Sequence, residues 1–249
     1  MRRRLPGTHC LLVLLALGGL RAAGAAEAQA PHYRLDPVHT RVMFAISHAG
    51  FSNAIGTVSG SSGTLAFDPD DWRGAKLEVS VPLDRVDLGD EKWNRAALAS
   101  NLLDARAHPR ATFVSTRIEP KAADAASVCG NLQLRGVTRE VCLDVKLNAL
   151  KRHPLPPFRR TVGFSATATL SRKAFGIDAW PNVIGDTVEL RIEAEATRSR
   201  GARLGAIDAT DDAGAADDAP DSAPDGASPT ERTDPPPMQD SDTPPEPTP

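Results

Sequence analysis

Histidines and carboxylates are the residues of this 249-residue chain that could hold a metal or move a proton, and their spacing suits neither task. His39 and His48 fall at opposite parity if both belong to one strand, so they would face away from each other. His108 precedes Pro109, and His153 opens the run His153-Pro154-Leu155-Pro156-Pro157; both read as solvated or capped side chains. Asp68-Pro69-Asp70-Asp71 offers oxygens without the ordered series and closing Glu of a calcium loop, and reads as a hairpin turn. Asp36-Pro37, ahead of His39, reads as a turn whose carboxylate satisfies local N–H groups. No His-Glu-x-x-His, Gly-x-Ser-x-Gly or glycine-rich phosphate loop occurs. We therefore assign no catalytic residue and no metal ligand.

Two cysteines remain for covalent chemistry in the central part of the chain. Cys129 and Cys142 suit a disulfide in an oxidising compartment, and without a Cys-x-x-Cys the bridge would be structural. If Leu132 faces Val141 across the intervening turn, the two cysteines point outward and sit diagonally, at the edge of bridging distance. A register shifted by two residues would set them directly opposite. The sequence leaves both arrangements open.

Most of the chain between Tyr33 and Arg198 exists to position side chains at period two, the mark of strands with one wet face. Val42, Phe44 and Ile46 share one face of a first strand; Leu65 and Phe67 follow Gly60 and Gly63, which suit a bend or bulge. Leu77, Val79, Val81 and Leu83 continue the pattern, and Phe113 opens a strand after Pro109. Leu132 and Leu134 lead through Arg135-Gly136-Val137-Thr138 to Val141, Leu143, Val145 and Leu147. Val162, Phe164, Ala166, Ala168 and Leu170 form the next face, and Val188, Leu190, Ile192, Ala194 and Ala196 the last. A helix interrupts the series at Asp90 to Leu98, acidic at its start, with a short helical turn around Arg172 to Phe175.

The expected fold is all-β: an eight-stranded antiparallel barrel with one or two short helices, a two-sheet sandwich being the alternative. A barrel of that size is either filled by its own side chains or holds one slender ligand. Ala166 and Ala168 beside Ala194 and Ala196 would thin a contiguous part of the wall; Phe44, Phe113 and Phe164 swinging inward would fill it. Spacing alone does not decide.

The ends differ from this core. Residues 1–28 carry Arg2, Arg3 and Arg4, an apolar run from Leu11 to Leu20 and a small-x-small site at Ala26-Glu27-Ala28, the pattern of a secretory signal. The run is too short to span a bilayer. Residues 199–249 hold 12 acidic residues, 3 Arg and 10 Pro, and read as a disordered acidic tail behind a folded domain at 29–198. That domain has a net charge of +3 with its basic residues scattered and few aromatics, so nucleic acid is not an expected partner.

The segments YRLDPVHTRVMFAISHAGF, LASNLLDARAHPRATF, GNLQLRGVTREVCLDV, GFSATATLSRKAFGI and GDTVELRIEAEA, in this order, resemble the YceI-like family of polyisoprenoid-binding proteins from Tyr33 to about Thr197. Matching positions include Asp36, His39, Val42, Phe44, Leu98, Asp104, Pro109, Phe113, Gly130, Leu132, Gly136, Phe164, Arg172, Phe175 and Gly176. Leu102-Leu103 stands where the family tends to carry aromatics, and the cysteine pair and the tail depart from it. The resemblance implies a lipocalin-like periplasmic barrel, without catalysis or a cofactor in the usual sense, carrying an isoprenoid or other long lipid chain: a polyprenyl phosphate, a quinone tail or a lipid amide. Its lumen would be walled by Phe175 and the inward residues named above other than Leu83, Leu147, Val162, Val188 and Ala196. His39 and Arg172 are headgroup candidates at the mouth. Transient membrane contact is expected, and a homodimer is compatible with the sequence. The rival functions are an interaction module with a filled core and an enzyme acting on a bound lipid, the latter needing a polar cluster inside the lumen.

Overall fold

Alternating apolar and polar residues produce strands wherever one side can be buried, and here they wrap until the first meets the last. The computed structural model describes residues 30–201 and 204–205. The expected signal segment and nearly all of the expected tail lie outside the described residues.

Eleven strands run in order: β1 (His32–Leu35), β2 (Arg41–His48), β3 (Ser52–Val58), β4 (Ser62–Asp68), β5 (Asp71–Pro82), β6 (Val86–Asp87), β7 (Arg110–Ala122), β8 (Ala125–Leu134), β9 (Val137–Arg152), β10 (Arg160–Ser171) and β11 (Ile184–Arg198). Three pairs among them are single staves broken mid-length. β1 and β2 lie end to end along one edge of β11. β4 pairs with β1 and β3 with β2, the break falling near Gly60 at φ 75°. β5 pairs with β4 and β6 with β3, interrupted by a 3-10 turn at Leu83–Arg85. With β7 to β11 these make a closed antiparallel barrel of eight staves, as expected.

Helix α1 (Glu91–Leu98) begins at Asp90, whose carboxylate accepts the amides of Lys92 and Trp93. It stands beside β6, where the edge of β3 away from β2 has no strand partner before Thr57. A second 3-10 turn, Arg172–Phe175, is capped by the Ser171 hydroxyl, which accepts the Ala174 amide, and ends at Gly176 in the left-handed region.

Three sequence expectations about the wall need correction. The β8–β9 connection is a two-residue turn, Arg135-Gly136, with φ 50° and 73°, and not the four-residue turn expected. It sets Leu132 opposite Arg139 and Gly130 opposite Val141, so Cys129 and Cys142 are direct partners and form a disulfide on the outer face. The alanines are not contiguous: Ala166 faces Ile192, Ala168 faces Leu190, Ala194 faces Phe164 and Ala196 faces Val162. Each small residue thus opposes a larger one, because β10 and β11 run antiparallel and their small ends point opposite ways.

Candidate functional site

The barrel is closed at one end and open at the other. At the closed end Phe67, Trp72 and Phe164 pack edge to face, with ring centroids 5.0 to 6.3 Å apart. Tyr33, Ala126 and Val162 are buried around them, and the Trp72 indole N–H donates to the carbonyl of Ala123. Above this floor lies a cavity of about 510 Å³, walled almost wholly by apolar side chains. That volume is ordinary for a small-molecule site, about 300–1,000 Å³.

Two glycines explain why the lumen is not filled. The Phe44 ring lies against its direct partner Gly56, where an added Cβ would come within 2.3 Å of Cζ. Phe113 reaches diagonally over Gly130, whose Cβ would meet its Cζ at 2.6 Å. Both rings lie along the wall instead of across the bore. Phe164, the third candidate to block it, goes to the floor. Inward residues at mid-height, among them Val42, Ile46, Leu77, Val79, Leu132, Val145 and Leu190, remain only partly buried because the cavity reaches them.

Of the side chains expected in the lumen, Val42, Phe44, Ile46, Leu65, Phe67, Leu77, Val79, Val81, Phe113, Leu132, Leu134, Val141, Leu143, Val145, Phe164, Ala166, Leu170, Phe175, Leu190, Ile192 and Ala194 line the cavity. Ala168 does not; it packs against the core, paired with Leu190 of β11. Ala54, Gly56 and Val58 of β3 were not foreseen, since the inward face of that strand carries small residues and shows little alternation in hydrophobicity.

His39 is not at the mouth. It belongs to the exposed turn between β1 and β2, where its Nδ1 lies 2.8 Å from the Asp36 carboxylate. That carboxylate also accepts the Val38 and His39 amides, as expected for the turn. Partial burial alone would raise the Asp36 pKa, but the hydrogen bonds from the His39 ring and the two amides together hold it below the usual carboxylate range. The same ring contact, aided by the carboxylate charge, raises the His39 pKa. His48, in contrast, lines the cavity and packs at a tilt against Trp93, ring centroids 5.2 Å apart. Among the described residues no cluster of three or more His, Cys, Asp or Glu side chains is arranged to hold a metal.

Arg172 borders the cavity but its donors point elsewhere. Only 4% exposed, it donates through Nε to Gly185 O, through Nη1 to Ile177 O and through Nη2 to Ile184 O, each at 2.8 Å. It ties the 176–185 loop to β10. Two further arginines act alike at the rim. Arg135 donates to Gly176 O and Ser100 O, and Arg139 to Ala174 O. The Ser171 hydroxyl and the Lys173 amide donate to Asp186, and these bonds, the Lys173 amide first, hold its carboxylate below the usual range. Arg135 reads in sequence only as a turn residue; no local pattern announces its reach to two other loops.

Around this rim stand the exposed side chains of Trp93, Trp180 and Val183, all bordering the cavity. Leu102 and Leu103 border it too, in the segment that departs from the aromatic pattern. A family model described as the YceI-like domain matches residues 33–196, spanning nearly the whole barrel. The chain belongs to the YceI-like family. Relatives include UPF0312 proteins of Pectobacterium atrosepticum, 33% identical over 76% of this chain and 97% of theirs, and of Pseudomonas paraeruginosa, 31% identical over 75% and 97%. Among solved structures, Burkholderia cenocepacia BcnA superposes with a TM-score of 0.59 at 22% identity, covering 66% of this chain and 99% of its own. A polyisoprenoid binding domain from Saccharophagus degradans does so with 0.54 at 15% identity, covering 69% and 100%. At such identities the likeness is one of fold. The YceI-like barrel here differs from the expected family pattern in its Cys129–Cys142 bridge.

Proposed function

We propose that this YceI-like protein binds a single long apolar chain, an isoprenoid or related lipid, in the lumen of its barrel and carries it without chemical change. The observation that carries this reading is the one-ended apolar cavity kept open by Phe44 on Gly56 and Phe113 on Gly130. A solved neighbour is described as a polyisoprenoid binding domain, which supports the same ligand class here. Burial of each CH₂ contributes about 0.8 kcal/mol, so one isoprene unit adds roughly 3 to 4 kcal/mol before ordering costs. A few units suffice for useful affinity, and the headgroup stays at the rim near Arg172. His39, on the outer turn, takes no part.

The titratable groups bordering the cavity are His48, Glu195 and Arg172. With His48 packed against Trp93 and Arg172 committed to backbone carbonyls, the wall favours binding over catalysis. Export by residues 1–28 to the periplasm and transient contact with a donor membrane complete the proposal. Mass spectrometry of organic extracts from protein purified from its own host tests it. Recovery of a stoichiometric isoprenoid supports the proposal; protein that carries no lipid and takes up none from isoprenoid-containing vesicles overturns it.

A further inference from the structure

At the closed end of the barrel the β9–β10 hairpin projects past its neighbour. β8 pairs with β9 as far as Lys146, whereas β9 continues to Arg152, about 20 Å further along an extended strand. The sequence there is KRHPLPPFRR, with Lys151, Arg152, Arg159 and Arg160 all exposed and no carboxylate in the run. Arg152 stands directly opposite Arg160 across the ladder. Like charges so placed destabilise a hairpin. Some cations elsewhere on the barrel surface do have carboxylate partners, as in Lys121 with Asp144 and Arg117 with Glu119. None of the four hairpin cations has a carboxylate partner among the described residues.

Beyond this cationic collar the tip presents Leu155, 64% exposed, and Phe158, 51% exposed. Their exposure is built in. The Phe158 amide donates to Leu155 O and the His153 amide to Arg159 O, while Phe158 sits at φ 56°, a region bulky residues rarely adopt. The order from tip to base is thus apolar pair, then cations. A bilayer with anionic headgroups has the same order from acyl boundary to phosphate layer.

We propose that the β9–β10 hairpin docks this barrel on anionic phospholipid surfaces, Leu155 and Phe158 entering the interface and Lys151, Arg152, Arg159 and Arg160 meeting the phosphates. The hairpin lies at the end opposite the cavity mouth, so docking leaves the mouth accessible. The inference stands independently of what the lumen holds.

Flotation of the full chain with vesicles of phosphatidylcholine alone, or mixed with phosphatidylglycerol, tests it. Binding is expected only to the anionic vesicles, falling as salt rises, and weakened about tenfold or more by Arg152→Glu/Arg159→Glu/Arg160→Glu. Leu155→Ser/Phe158→Ser should weaken it as well, and Phe51→Ser/Trp180→Ser at the mouth, where Phe51 stands 93% exposed in the β2–β3 turn joined to Val183 by the Ala49 amide, should not. Phe158→Trp, which keeps an aromatic tip, should gain emission quenched by brominated lipid. Equal binding to neutral vesicles, wild-type binding by the hairpin variants, loss only in the mouth variant, or binding of an acidic polypeptide in place of vesicles would each overturn the proposal.

Discussion

Gly56 holds the most sensitive position in the wall because its missing side chain is where Phe44 rests. Gly56→Val should push the ring into the bore, lowering bound lipid at least severalfold while the barrel still folds; adding Phe44→Leu should restore uptake. Lipid per protein by mass spectrometry, beside far-UV circular dichroism, checks both arms. Arg172→Met should act on stability instead: it strips three backbone carbonyls of their donor, a loss of about 2–4 kcal/mol readable by denaturant titration. The Asp36–His39 pair gives a shallow pH signature, weak because both groups meet solvent. Asp36, lowered in the fold, stabilises above its ordinary value of about 3.9 and loses that contribution as pH falls through the lowered one. His39, raised, stabilises below about 6.5 and loses its contribution as pH rises through the raised value. Asp36→Asn should flatten Tm between these limits. Residue types alone made the Asp36 turn legible. They misplaced His39, because a turn side chain two residues before the strand carries no mark of whether it reaches the mouth or stands outside the wall.

Among the elements, the β8–β9 hairpin joins a two-residue turn to the outer disulfide. Closing the loop between Cys129 and Cys142 stabilises by about 3 kcal/mol on the chain-entropy estimate, an upper figure for a hairpin that is already paired. Reduction, or Cys129→Ser/Cys142→Ser, should therefore lower Tm by several degrees without changing lipid content, since both sulfurs lie outside the lumen; scanning calorimetry with and without reductant checks this. The elements were legible where large residues alternate, as in Val141, Leu143, Val145 and Leu147. They were not where the inward face is Ala54, Gly56 and Val58, because period-two reading detects bulk and β3 is defined by its lack. Register was underdetermined too. Nothing in the alternation distinguishes Leu132 opposite Val141 from Leu132 opposite Arg139; turn geometry at Arg135 and Gly136 decides.

For the molecule as a whole, a closed barrel of eight staves followed from pattern, whereas hollowness followed from pairings between distant strands. The alanines that first suggested thin walls turn out to face Ile192, Leu190, Phe164 and Val162, and the open bore comes from aromatic rings folded onto glycines. A direct check is to fill it: Val79→Trp with Leu190→Trp, both bordering the cavity at mid-height, should abolish lipid uptake while raising or preserving Tm. Unchanged uptake would place any bound chain elsewhere.

Because Phe67, Trp72 and Phe164 stopper one end, a guest can advance only so far before its leading methyl groups meet aromatic rings. The barrel then works as a depth gauge. Successive homologues of one guest should gain strength with every added unit until the tip touches bottom, after which further length merely trails into solvent and the gain ceases.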